Sequence, residues 1–116
     1  MRYLVFALVC AVLPGVQAYA AGDDFSGYIN EAYDRQKTMS VRWKALLSAA
    51  RLANSGQVDT IRDFARHDDW YMRNAALVAL KKVDVTAAQD EARKLLQDKA
   101  LVVRSAAVEV VAENLN

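Results

Sequence analysis

The chain has 116 residues, of which 54% are apolar and 25% are charged, and its formal net charge is +1. This length suits one small globular domain, and the apolar content excludes disorder over most of the chain. Because phosphate binding depends on clustered Lys and Arg, the near-neutral charge argues against nucleic acid and anionic membranes as ligands.

The first twenty residues, MRYLVFALVCAVLPGVQAYA, have the layout of a secretory signal peptide. Arg2 precedes an apolar run from Tyr3 to Leu13, which as a helix would rise only about 16 Å, too short for a bilayer core of about 30 Å. We therefore expect residues 1–20 to be removed by cleavage after Ala18 or Ala20. The mature protein is expected to be exported, periplasmic or secreted, and to make no contact with the membrane.

Six helices are predicted to follow, and no strand, because no stretch alternates between apolar and polar residues with a period of two. The helices are expected at Phe25–Gln36, Ser40–Asn54, Gln57–Arg66, Trp70–Val83, Thr86–Gln97 and Leu101–Asn114. Turn chemistry marks the joints between them. Asn54-Ser55-Gly56 is predicted to end a helix in a left-handed cap, Asp69 to cap the helix at Trp70, and residues 83–86 to cap the next one.

The helices repeat with a period of 31 residues. Three blocks, VRWKALLSA, MRNAALVAL and VRSAAVEVV, begin at Val41, Met72 and Val103 and align in register. A period between 20 and 50 residues indicates a solenoid. We therefore predict an all-α fold, an α-solenoid of antiparallel helix pairs over residues 21–116. Its repeats are a degenerate one at 25–54 and two more at 57–83 and 86–116.

Two columns of this alignment have the same residue in every repeat. One holds an arginine and the other an alanine, at a position where the helices must approach closely. The members of the two columns are Arg42, Arg73 and Arg104, and Ala45, Ala76 and Ala107.

Two helices per repeat, with an apolar residue, an arginine and small residues opening the second helix, resemble HEAT repeats. The resemblance extends to the bacterial HEAT-like repeats of phycobilin lyases, and it covers residues 39–116 well. In that family an acidic residue before the arginine pairs with it, staples the helices and links neighbouring repeats. Carried over, Asp98 lies six residues before Arg104 and Asp69 lies four residues before Arg73, while Arg42 has no acid at either position.

The arginine column has two interpretations. The guanidinium groups of Arg42, Arg73 and Arg104 could form a stripe that binds anions, or they could pair structurally with nearby carboxylates such as Asp69 and Asp98. The resemblance favours structural pairing.

One column of the second helices places a tryptophan where the other repeats have polar residues. Trp43 aligns with Asn74, and Leu47 aligns with Val78 four residues later. Positions that are polar in other repeats should face solvent, so an exposed apolar spot is one interpretation and burial of Trp43 under its own helix is the other. With Lys82 these residues form a candidate partner-binding surface.

Two further apolar features have their own interpretations. Trp70 aligns with Met39 and Leu101, and this uniformly apolar column predicts packing in the core. The last predicted helix carries three β-branched residues near its C-terminal end, Val108, Val110 and Val111. They span about 300° of a helix, so they cannot all face the preceding repeat, and we predict an apolar strip that forms a terminal interface.

The sequence offers no catalytic set. His67 is the single histidine, no cysteine remains after signal cleavage, and no serine stands in a nucleophile-elbow sequence. We therefore expect no cofactor and no metal. The leading hypothesis is a non-catalytic exported module that binds an unknown protein or peptide. The alternatives are an assembly unit that self-associates, as a homodimer or through its solenoid ends, and, more remotely, an enzyme related to HEAT-like lyases or glycosylases.

Overall fold

The computed structural model describes residues 24–113, and all regular structure within them is helical. The six α-helices are α1 Phe25–Tyr33, α2 Met39–Leu52, α3 Val58–Arg62, α4 Trp70–Val83, α5 Val85–Leu95 and α6 Leu101–Glu113. Short 3-10 turns at Ser55–Gln57 and Asp63–Arg66 flank α3. The predicted signal segment and the last three residues lie outside the described part.

Consecutive helices form three pairs. α1 packs on α2, α3 and the 3-10 turn after it pack on α4, and α5 packs on α6. The second helices also contact one another, α2 against α4 and α4 against α6. This arrangement confirms the all-α solenoid of helix pairs that the 31-residue period predicted. It also means that the second helices form one continuous layer.

The alanine column lies in the centre of each pair. Ala45 is 2% exposed, and Ala76 and Ala107 are 0% exposed. A side chain of one methyl group lets neighbouring helices approach closely, and larger residues such as Leu46 and Met72 fill the space on either side. The column is therefore a packing requirement in every repeat.

Replacing Ala76 with leucine is expected to lower the free energy of unfolding by about 1 to 3 kcal/mol, because extra methylenes in a close-packed core force side chains off their rotamers. Urea denaturation measures the change. Ala112→Leu, at an exposed position of α6, is the matched control and should alter stability by less than about 0.5 kcal/mol. Equal effects of the two changes would contradict the packing role.

Side chains cap helix starts in this chain, but one of the predicted caps is absent. Asp24 accepts a hydrogen bond from Gly27 N–H, and Asp84 accepts one from Ala87 N–H, so both cap a helix start. Asp69 stands at the cap position of α4 but makes no side-chain capping bond, so the predicted cap is wrong.

The joint after α2 also differs from its prediction. No described residue other than glycine has a positive φ, and no described glycine has one either. Asn54-Ser55-Gly56 therefore forms no left-handed cap. Instead Gln57 turns back, its Oε1 accepting the N–H of Asn54 at 3.0 Å, and the chain enters the next pair through a 3-10 turn.

Two predicted helices are shorter than expected by three residues or more. α1 ends at Tyr33 because Asp34 leaves the helix and its carboxylate accepts the N–H of Gln36 at 3.0 Å, which forms a local turn. The helix predicted over Gln57–Arg66 tightens after Arg62 into a 3-10 turn.

Candidate functional site

The second helices of the three pairs border an open groove of about 580 Å³. Because α2, α4 and α6 form one layer, residues one turn apart on each helix line the same hollow. The groove is lined by Trp43, Asn74, Val78, Leu101, Val102, Ser105, Ala106 and Glu109.

The structure brings together three of the five residues of the candidate partner-binding surface. Trp43, Asn74 and Val78 line the groove. Leu47 is half-buried and packs against the core instead. Lys82 does not reach the groove, because it lies near the C-terminal end of α4 and lines a separate hollow at the joint between pairs.

Both interpretations of the Trp43 column, exposure to solvent and burial, are correct in part. It is partly buried and packs against the hydrophobic core, yet part of its surface lines the groove. Its indole is therefore held in place by the core while one side remains accessible to a ligand. A large aromatic surface that is already ordered loses little conformational entropy on binding.

The prediction that Trp70 packs in the core is wrong. Trp70 is 43% exposed, and its column partners Met39 and Leu101 are 50% and 71% exposed. These residues begin the second helices, where the chain has just emerged from the turn and no following helix covers them. The ring of Trp70 packs edge-on against Tyr71, with ring centroids 5.8 Å apart.

Sequence reasoning missed the part of the groove that α6 supplies. Val102 is 51% exposed and faces the hollow together with Ser105 and Glu109. The signal was present, because Ser105 and Glu109 occupy the same columns as Trp43 and Leu47. The alignment therefore places Ser105 and Glu109 on the solvent-facing side, and only their polar character separates them from the predicted apolar spot.

A second constellation joins the pairs through the arginine column. Arg73 forms a bidentate pair with Asp98, Nε to Oδ1 at 2.8 Å and Nη2 to Oδ2 at 2.9 Å, and both side chains are 7% exposed. Its Nη1 donates to the backbone carbonyls of His67 and Asp68. One guanidinium therefore satisfies the carbonyls of its own turn and binds the carboxylate of the next pair.

Arg42 repeats this arrangement one pair earlier. It is 1% exposed; its Nε donates to the carbonyl of Ala32 at 2.8 Å, and its Nη1 donates to Asp69 Oδ2 at 3.0 Å and to Tyr71 Oη at 2.8 Å. The carboxylate of Asp69 is thus directed at the preceding pair, which explains why it does not cap α4. Each acid binds the arginine of the repeat before it, not the arginine that follows it in sequence.

Arg104 is the third member of the column and has a different environment. Its Nη1 donates to the backbone carbonyl of Asp98 at 2.7 Å. The carboxylate of Asp98 binds Arg73, so the expected pairing of Asp98 with Arg104 is replaced by this backbone contact. Within residues 24–113 no carboxylate lies within ion-pair distance of Arg104.

His67 lies inside the first of these junctions. Its ring stacks near Phe64, with centroids 6.0 Å apart; Nδ1 accepts the N–H of Asp69 at 3.0 Å and Nε2 lies 3.1 Å from Arg42 Nη2. Burial, and then the positive charge of Arg42, lower the pKa of the imidazole below its usual value. A proton added at Nδ1 would face the N–H of Asp69, so the neutral ring is favoured.

The two acids of the junctions also have shifted pKa values. The hydrogen bond from Arg42 lowers the pKa of Asp69. Burial would raise the pKa of Asp98, but hydrogen bonds from Arg73 and from the N–H of Ala100 outweigh it, and the pKa is lowered. Both carboxylates are therefore held in the charged form that the junctions need.

Lowering the pH from 7 to 5 is expected to reduce the free energy of unfolding through His67. The unfolded imidazole binds a proton near pH 6.5 while the folded one resists it, so stability falls as the pH drops below about 6.5. Asp69 and Asp98 act at lower pH: their contribution is present above about pH 4 and is lost as the pH falls through their lowered pKa values.

Urea denaturation at a series of pH values measures this dependence. His67→Gln removes the titrating ring and should flatten the curve between pH 7 and pH 5 while keeping the loss below about pH 4. A His67→Gln protein whose stability still falls between pH 7 and pH 5 would show that another group is responsible.

A third charged cluster lies on the first helices. The carboxylate of Glu91 is 2% exposed, and its Oε1 accepts from Arg62 Nε at 2.9 Å, with Arg66 Nη2 at 3.4 Å and Lys94 Nζ at 3.6 Å. These contacts link α5 to the preceding pair. The cluster is a structural crosslink, since three cations satisfy one buried carboxylate.

Within the described residues no group of three or more His, Cys, Asp or Glu side chains could hold a metal ion. No helix in the same part of the chain is long and apolar enough to cross a membrane.

A family model described as HEAT repeats matches residues 31–112. No curated protein and no solved structure matches the chain. The matched range contains all three second helices, the groove between them and the arginine column.

Proposed function

The chain belongs to the HEAT-repeat family, and from this premise we propose that it is a non-catalytic module that binds a segment of another protein in the groove of α2, α4 and α6. HEAT repeats generally mediate contacts between proteins. The observation that carries the proposal is the groove itself, an apolar hollow bordered by three consecutive second helices.

The lining of the groove suits a peptide with an apolar anchor. Trp43, Val78 and Val102 supply apolar surface from three different helices, so one side chain of a ligand can contact all three repeats at once. Val102 is 51% exposed, and burying such a residue on binding is favourable. Tryptophan is enriched among the residues that dominate binding energy, which makes Trp43 the expected main contact of the groove.

Polar groups alternate with this apolar surface. The amide of Asn74 and the hydroxyl of Ser105 can donate to and accept from the backbone of an extended peptide. Glu109 adds a carboxylate at one side of the groove, which favours a ligand with a Lys or Arg beside its apolar anchor. The proposed ligand is therefore a segment of a protein that combines an apolar and a basic residue.

The segment over residues 1–20 supports the further proposal that the module acts after export. Its single arginine and short apolar run are typical of a secretory signal peptide. N-terminal sequencing of the exported protein tests this part, and it should begin at Tyr19 or Ala21.

A selection from a phage-displayed library of random peptides tests the groove. Peptides enriched on the wild-type protein should carry an apolar anchor next to a basic residue, and Val102→Glu should weaken their binding by about 100-fold, because it places a charge against the anchor. Val85→Glu is the matched control, since Val85 is 62% exposed and lies outside the groove. Enriched peptides that bind both variants equally would contradict the proposal.

The assembly alternative is favoured by one observation, the exposure of Val108 at 54% on the last described helix. Val110 is 5% exposed and Val111 is half-buried, so the three valines do not form one strip. Sedimentation of the mature protein over a range of concentrations separates the two functions. A self-associating protein would support assembly, and a monomer that binds peptides would support the module.

A further inference from the structure

The side of α6 that faces away from α4 is less covered than the same side of the earlier second helices. Leu46 of α2 is 0% exposed and Leu77 of α4 is 1% exposed, whereas Val108, in the same column of α6, is 54% exposed. Leu80 is likewise 0% exposed, and its counterpart Val111 is only half-buried. We call this surface, made of Arg104, Val108 and Val111, the α6 outer face.

Its three residues lie on one side of the helix, because spacings of three, four and seven residues return to the same side. In α4 the corresponding side is covered by the pair that follows, α5 and α6. The α6 outer face therefore has the shape and the apolar character of a surface that receives a helix pair.

The arginine column indicates which chemical group a helix pair covering the α6 outer face would supply. Arg42 binds Asp69 of the second pair at 3.0 Å, and Arg73 binds Asp98 of the third pair at 2.8 Å. Arg104 donates to a backbone carbonyl of its own turn, and in residues 24–113 it has no carboxylate partner. A pair stacked on α6 in the same way would bring an acid to this guanidinium.

We propose that the α6 outer face docks a helix pair of a different polypeptide, one that places an Asp or Glu on Arg104. The apolar part of the contact is supplied by Val108 and Val111, and the carboxylate completes the arginine column. This surface lies beside the groove and is independent of peptide binding there.

A second copy of this chain fits the surface poorly. In the second and third pairs the acid lies four or six residues before the arginine; the same stretch of the first pair reads Gln36, Lys37 and Thr38. Stacking the first pair of a copy on α6 would therefore bring Lys37 towards Arg104. α1 also exposes polar residues, Ser26 and Asn30.

A two-fold dimer through α6 is disfavoured for a related reason. An isologous interface would place the α6 outer face against itself, with Arg104 of each copy at the same contact. The face itself contributes no acid, so two cations would be desolvated without a partner. Charge complementarity therefore selects an acidic partner that is not this chain.

An extended protein tests the surface with a probe of known sequence. Repeating residues 86–116 directly after Asn116 adds one 31-residue period and aligns the second copy of Asp98 with Arg104. We expect the extended protein to unfold at higher urea concentration than the natural chain. Arg104→Gln should raise the unfolding equilibrium constant of the extended protein about tenfold more than that of the natural chain, because only in the extended protein does it break a charge-assisted pair.

Asp98→Asn in the added segment should lower the stability of the extended protein by the same amount as Arg104→Gln. Combining the two substitutions should cause no further loss of stability. An extended protein that is no more stable, or one in which Arg104→Gln costs as much as in the natural chain, would overturn the docking surface.

Photo-crosslinking in the cells that express the protein tests the partner. A crosslinking amino acid at position 108 should form an adduct with a different protein, mapped to a helix that carries an Asp or Glu. Arg104→Gln should abolish this adduct, and a crosslinker at position 85 should not form it. An adduct with a second copy of this chain, or the absence of any Arg104-dependent adduct, would overturn the proposal.

Discussion

Replacing Arg73 with methionine is expected to lower the free energy of unfolding by about 3 to 5 kcal/mol. The change removes both hydrogen bonds to Asp98 and leaves that carboxylate, 7% exposed, without a counter-charge. It also frees the carbonyls of His67 and Asp68, which Arg73 Nη1 satisfies. Urea denaturation at pH 7 measures the loss.

Arg104→Met is the matched control, because Arg104 occupies the same column and makes a single backbone contact at 2.7 Å. It should cost about 1 kcal/mol or less. Replacing Asp98 with leucine in the Arg73→Met protein should recover part of the stability, because no buried charge then remains. If Arg73→Met and Arg104→Met cost the same, the pairing between repeats is not what stabilises the array.

Phe64→Ala is expected to destabilise the protein by about 3 to 5 kcal/mol, since Phe64 is 0% exposed and the change leaves a large cavity. Its ring stacks on Tyr33 with centroids 4.2 Å apart and an interplanar angle of 28°, so it joins the first pair to the second. Thermal or urea unfolding measures the loss.

Tyr33→Ala removes the other ring of the same stack, and Tyr33 is 44% exposed. Its cost should be about 1 kcal/mol, because less surface is lost from the core. A Phe64→Ala protein no less stable than the Tyr33→Ala protein would contradict the role of Phe64 at the junction.

The regular part of the fold could be predicted from the sequence because it repeats. The alanine column and the arginine column recur every 31 residues, and the alanine position has the same buried environment in all three repeats. The structure places Ala45, Ala76 and Ala107 in the core, and the helix at Trp70–Val83 has its predicted bounds.

The misassigned residues were those whose neighbours come from another repeat. The apolar column of Trp70 predicts a core position, but Trp70 stands at the start of a helix and is 43% exposed. The position of Asp69 before Trp70 predicts a cap, yet a buried guanidinium from the preceding pair competes for its carboxylate more strongly than a backbone N–H. Such contacts depend on how pairs stack, which the alignment alone does not give.

Only part of the candidate site could be predicted from the alignment of the repeats. Trp43, Asn74 and Val78 come from two adjacent second helices, and their columns pointed to one surface. The contribution of α6 through Val102 lies in a column that holds Ser40 and Tyr71 in the other two repeats. A residue type that occurs once gives no periodic signal.

The emission of Trp43 during a peptide titration tests binding in the groove most directly. In a Trp70→Phe protein Trp43 is the single tryptophan of the chain, and it lines the groove. On adding a peptide selected on the wild-type protein, we predict that its emission shifts to shorter wavelength and saturates with the bound fraction, because the ligand excludes water from the exposed side of the indole. A peptide that binds with full affinity and leaves the emission of Trp43 unchanged would contradict the account.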